Sequence, residues 1–149
     1  MRAFAVTVAL LATNCSPPGP APGPASVTPA AAPPTLAGEW RVAGIDGREF
    51  NEPYGLALSA DARRIWWEPI CAGFVRGYAI DGAIIAVGPD PDLPPRQAGE
   101  PTRPVCTIAP PPRLAEVMRA LDSADTIQGT PSNGVELSGG GHSLLLFSQ

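Results

Sequence analysis

Three cysteines, one histidine and two adjacent tryptophans are the side chains of this sequence most able to do chemistry. Cys71 and Cys106 flank a proline-rich stretch, and Cys15 directly follows an apolar run. In an exported chain Cys71 and Cys106 are free to oxidise, because disulfides persist outside the reducing cytosol. Closing a loop of that length adds about 3–4 kcal/mol in the chain-entropy picture. A redox pair and a metal site are the competing readings. No Cys-x-x-Cys occurs, and with His142 as the one histidine a zinc site is short of ligands. A structural disulfide between Cys71 and Cys106 is therefore expected.

The remaining polar groups point to no reaction. His142 lies in a Gly-Gly-Gly-His-Ser turn with the look of an oxyanion-hole glycine run, but no Gly-x-Ser-x-Gly nucleophile elbow accompanies it. It reads as a solvated turn histidine. Asp90 and Asp92 lack the glycine and distal glutamate of a calcium loop, so they read as solvated loop charges. Glu68, Glu116 and Glu136 are not brought together by anything in the sequence. Glu116 reads as an exposed helical residue three places before Arg119. No glycine-rich phosphate loop is present. No catalytic residue, no metal ligand set and no cofactor is therefore expected. Trp66 and Trp67 stay open to two readings: core and edge packing, or a ring facing a groove where an apolar ligand or a partner lies. Phe74 and Tyr78 join them as the candidate ligand or partner surface.

The elements that must position these groups follow from periodicity. Residues 38–45 alternate, with Trp40, Val42 and Gly44 on one side, and end at the turn signal Asp46-Gly47. Tyr54, Leu56 and Leu58 alternate before a turn at Ser59-Ala60-Asp61. Arg64 to Trp67 reads as a strand with Ile65 and Trp67 on one face and Trp66 on the other. Phe74 to Ile80 and Ala83 to Val87 flank Asp81-Gly82, which predicts a type I′ hairpin. Gly88 to Pro104 carries six prolines and reads as an irregular loop. After Pro110-Pro111-Pro112, the positions Leu114, Val117, Met118 and Leu121 form a one-sided helical stripe. Ser123–Gln128, Gly134–Ser138 and Ser143–Phe147 read as closing strands. Their turns are Ser132-Asn133-Gly134 and Gly139-Gly140-Gly141. The run Leu144-Leu145-Leu146-Phe147 predicts a strand covered on both faces.

Composition bounds the rest. The chain has 149 residues, 10 basic and 14 acidic, and every basic residue is an arginine. The charges are interspersed, so no basic stripe grips phosphates and a nucleic-acid partner is not expected. Residues 1–14 read as a signal peptide: Arg2, then an apolar run from Ala3 to Ala12 too short to span a bilayer. A cysteine after such a run, followed by a Ser/Pro/Gly/Ala tract, is how a bacterial lipoprotein begins. Cys15 is then the acylated first residue of the mature chain. Ala12 and Asn14 depart from the usual leucine and small residue before that cysteine, and an ordinary secretory signal cut nearby is the alternative. Residues 15–35, with eight of the chain's 20 prolines, read as a semi-rigid tether. Residues 36–149 are left for one domain.

In order and spacing, that domain resembles the META domain of the HslJ-like heat-shock-inducible family. Leu36-Ala37-Gly38-Glu39-Trp40 and Ile45-Asp46-Gly47 stand where that family has Leu-x-Gly-x-Trp and Ile-Asp-Gly. Cys71, Phe74 and Tyr78 keep its spacing of a cysteine, an aromatic and a tyrosine. Cys106 follows after a loop, then a helix with Glu116 ahead of Ala120-Leu121, then a leucine-rich hairpin ending at Phe147. Ile70-Cys71-Ala72 departs from the family's Gly-Cys-Asn, and Thr102 to Cys106 from its Thr-x-Met-x-Cys. The resemblance implies an α+β fold, mainly antiparallel β. This is a small barrel-like curved sheet of about 7–8 strands with one helix, about 112–122, packed on it. It also implies a place in the bacterial cell envelope, on the periplasmic face, and a link to envelope stress or antibiotic tolerance rather than a catalytic activity. The expected protein is a monomer anchored to a membrane, the outer one by preference, through its N-terminal lipid, or secreted to the periplasm. It has a non-catalytic binding or structural role. Two alternatives are a carrier of a small apolar ligand in the barrel and an inhibitor or chaperone-like partner of another envelope protein.

Overall fold

The structure, a computed structural model, describes residues 30–93 and 107–149. The signal segment, Cys15, most of the expected tether, the larger part of the proline-rich loop and Cys106 lie outside the described residues. The strands are β1 (Gly38–Ile45), β2 (Arg48–Glu49), β3 (Ala57–Ala60), β4 (Arg64–Trp66) and β5 (Val75–Asp81). They continue with β6 (Ile84–Gly88), β7 (Thr126–Gly129), β8 (Gly134–Gly139) and β9 (His142–Ser148). One helix, α1 (Leu114–Ser123), falls between β6 and β7. Every pairing is antiparallel, and β9 returns to pair with β1. β1 and β3 to β9 thus close an eight-stranded barrel, with β2 as an appendage on β1. This is the small antiparallel barrel with one helix that the resemblance implies.

The interior follows from alternation. Leu58, Ile65, Ile85, Ile127, Leu137, Leu144 and Leu146 point inward from successive strands and are at most 2% exposed. The stripe of α1 (Leu114, Val117, Met118, Leu121) is buried in the same cluster. The helix therefore enters the barrel's own core rather than covering its outer wall. It is held at both ends. Arg113, just before α1, pairs with Glu52 at 3.0 Å, and Asp122 in its last turn accepts from Arg76 of β5 at 2.9 Å. Burying these apolar side chains is what overcomes the helix's short length, since ten residues are marginal alone.

Several local expectations need correction. In β1 the register shifts between Val42 and Gly44, so Ala43 is a bulge and Ile45, not Gly44, joins Trp40 and Val42 inside. β3 continues through Ala60, and the turn begins at Asp61, whose Oδ1 accepts from the backbone N–H groups of Arg63 and Arg64. The β5–β6 hairpin turns on Gly82-Ala83, because Asp81 pairs with Ile84. Only Gly82 has positive φ there, the pattern of a type II′ turn. The type I′ pattern occurs instead at Asp46-Gly47, where both φ angles are positive. Ser123 ends the helix and β7 starts at Thr126. Finally, β9 is not covered on both faces: Leu144 and Leu146 are buried, whereas Leu145 and Phe147 are half-buried on the outer wall.

The chain entering β1 is docked, not free. Ala30 exchanges two backbone hydrogen bonds with Gly129, at 3.2 and 3.1 Å. A side chain on Gly129 would collide with the strap, since a Cβ there would lie 2.5 Å from the Ala31 carbonyl. Leu36 is fully buried, and its carbonyl accepts from the Trp40 indole N–H.

Candidate binding surface

The four aromatic residues singled out from the sequence do not form one surface. Trp66 lies on the outer face of β4, half-buried, with the Arg64 guanidinium 5.7 Å from its ring centre and its indole N–H donating to Glu68. Trp67 and Phe74 face the core and meet edge to face at 5.9 Å. Tyr78 is only 8% exposed. Its phenolic oxygen accepts from the Leu36 N–H at 2.8 Å, donates to the Asp61 carbonyl at 2.6 Å and lies 2.9 Å from Thr35 Oγ1. Tyr78 is thus a hub of buried hydrogen bonds, and the aromatic corner is mostly packing. Cys71, exposed on a short 3₁₀ turn (Ile70–Ala72), is disulfide-bonded. Its expected partner Cys106 is outside the described residues, as is Cys15.

The charged groups pair more than the sequence suggests. His142 is not merely solvated: its Nδ1 lies 3.1 Å from Asp46 Oδ1. Asp46 also accepts from the Ser143 N–H at 3.0 Å, which, with His142 beside it, holds its carboxyl below the usual range. Asp92 bridges Arg63 and Arg64, at 3.0 and 2.8 Å. Asp61 is likewise lowered, first by the Arg63 N–H and then by Arg64. Glu116 pairs with Arg113 at 2.7 Å rather than with Arg119, and that guanidinium lowers its pKa. Glu68 bonds Trp66, and Glu136 accepts from Gln128. Among the described residues no group of three or more His, Cys, Asp or Glu side chains is placed to hold a metal. No described helix is long and apolar enough to cross a membrane.

Tyr78 does line a hollow of about 430 Å³, with Arg63, Ala79, Ala86, Val87 and Pro91, and a further open relief lies on the outer wall of β1 and β9. Gly44 makes it. A Cβ there would stand 3.1 Å from the Arg48 carbonyl and 3.4 Å from Leu145 Cβ, so the β1–β2 hairpin folds back across the wall where a side chain would have kept it off. β2 then stands as a ridge on the edge of β1 opposite β9. A groove of about 490 Å³ runs along it, lined by Arg41, Ala43, Glu49, Phe50, Asn51, Leu145 and Phe147. A second hollow of about 380 Å³ shares Arg41, Phe50 and Asn51 with it; a third, of about 130 Å³, shares Ala43, Glu49 and Leu145. The three form one trough. Phe50 is propped from behind, with the Arg113 guanidinium 5.2 Å from its ring centre and Tyr54 edge-on at 6.0 Å.

Of the trough residues, only Glu136 was weighed from the sequence as a candidate site residue. The signal was in the Leu144–Phe147 run, whose second and fourth members must point away from a core that takes the first and third. Chemically the trough can hold an apolar side chain against Ala43, Leu145 and Phe147, and its rim carries charges of both signs, Arg41 and Arg48 with Glu49 and Glu136. No family model, no curated protein and no solved structure matches this chain.

Proposed function

We propose that this chain is a cell-envelope lipoprotein whose META/HslJ-like domain binds or braces another envelope component without catalysing a reaction. In this reading Cys15 carries the lipid, the proline-rich segment spaces the barrel from the membrane, and Cys71 with Cys106 forms a structural disulfide. The observation that supports it is the filled barrel: inward side chains from successive strands and the stripe of α1 occupy one continuous core. A binding role then falls to the outer wall, where the trough beside β2 is open. The same observation counts against a carrier, because an apolar ligand inside would have to displace packed core residues at a cost of several kcal/mol. An inhibitor or chaperone-like partner remains a version of the same reading, since both act through an exposed surface.

Metabolic labelling with a radioactive fatty acid tests the anchoring. The full-length protein expressed in a bacterial host is expected to take up label and fractionate with membranes, and Cys15→Ala is expected to lose both. Label retained by Cys15→Ala, or none on the parent chain, would count against the lipoprotein reading.

A further inference from the structure

The chemistry of the trough beside β2 names an occupant. Arg63, Arg64, Arg76 and Arg113 each face a carboxylate. Arg41, which lines both larger hollows, is exposed and has no such partner among the described residues. Glu49 stands on the same rim, and Arg48, exposed and likewise without a carboxylate partner among the described residues, lines the third hollow beside it. Arg41 is the basic side chain set beside the apolar residues, since it lies opposite Phe147 in the β1–β9 ladder. Ala43, Leu145 and Phe147 supply apolar surface in the same groove. The trough is also drawn out along the wall, since three hollows adjoin through shared residues. An open wall covers one side of an occupant. That suits an extended chain, which gathers contacts along its length, better than a compact small molecule, which needs enclosure.

We propose that the outer-wall trough seats an extended segment of a partner protein, with an acidic side chain on Arg41 and an apolar side chain two positions along over Leu145 and Phe147. Side chains two apart on an extended segment share a face, so both reach the wall together. The inference rests on the reading of the outer wall as the binding surface, and it adds the kind of partner.

The test is a titration of the isotope-labelled mature chain with a blocked hexapeptide carrying aspartate at its second position and leucine at its fourth, the rest serine. Saturable amide shifts confined to β1, β2 and β9 are expected at millimolar peptide. Arg41→Gln, a change at an exposed side chain, is expected to weaken the aspartate peptide about tenfold and to leave an asparagine version unchanged. The absence of saturable shifts, equal binding of the two peptides, or tighter occupation of the trough by dodecanoate than by the peptide would overturn the proposal. Fatty-acid labelling reads the anchoring separately. Peptide binding by a chain without lipid keeps this inference and removes the anchor; a lipidated chain without peptide binding does the reverse.

Discussion

The phenolic oxygen of Tyr78 lies 2.8 Å from the backbone nitrogen of Leu36, a residue 42 positions earlier in the chain. The same oxygen donates to the Asp61 carbonyl, so one hydroxyl ties the strap, the β3–β4 turn and β5 together. Tyr78→Phe leaves the ring in place but strands a buried N–H and a carbonyl. It is expected to cost about 1–3 kcal/mol in chemical denaturation, with the Leu36 amide exchanging faster than those of β8 and β9. Wild-type stability in the variant would mean that water replaces the hydroxyl.

Gly44 permits the ridge beside the trough. Gly44→Val forces the Arg48 carbonyl away, and β2 is expected to lift while the barrel stays closed. Stability should fall by about 1–3 kcal/mol, as overpacked sites do. The Phe50 amide, which donates to the Ala43 carbonyl at 2.8 Å, should lose its exchange protection. Unchanged protection at Phe50 would show that β2 is not held by this contact.

Acid should loosen the ends of the barrel first. Asp46 and Asp61 have pKa values lowered from an ordinary 3.8, and Glu116 from 4.5. A carboxylate with a depressed folded-state pKa contributes stability that is fully present above its unfolded value and lost as pH falls through the folded one. The midpoint of denaturation should therefore hold steady down to the ordinary carboxylate range and drop below it. Asp46→Asn should flatten that acid limb. An acid limb identical to that of the parent chain would dismiss Asp46 as a contributor.

Cys71 is disulfide-bonded, and its partner is open to direct counting. Cys106→Ser is expected to release one reactive thiol at Cys71 and to lower stability by about 3–4 kcal/mol, the chain-entropy worth of so long a loop. Finding no new thiol in that variant would assign the bond to Cys15 and remove the lipid from it.

Most of the strands and the helix were legible because period-two and period-3.6 patterns need no tertiary knowledge, whereas the barrel itself was implied by the family resemblance. The stripe Leu114, Val117, Met118, Leu121 is buried as its spacing requires. What stayed hidden depends on contacts between distant residues. The bulge at Ala43 inverts the phase of β1 because Ile45 must meet Leu144, a partner on the last strand. The docking of Ala30 on Gly129 was invisible for a related reason: a Pro/Ala-rich composition reads as linker whether or not an edge accepts its backbone. Tyr78 stood out by spacing and turned out to be buried. Leu145 and Phe147 looked buried and line the trough. A run of apolar residues says that a strand is there, not which of its faces the core will take.

Native mass spectrometry of the mature protein, released gently from its own membrane, puts most of this at risk in one spectrum. The expected mass is that of a chain beginning at Cys15, increased by acyl groups, decreased by the two hydrogens of one disulfide, and free of any retained small molecule. An apolar compound that survives release with the barrel would mean that the interior, not the outer wall, is where this protein binds.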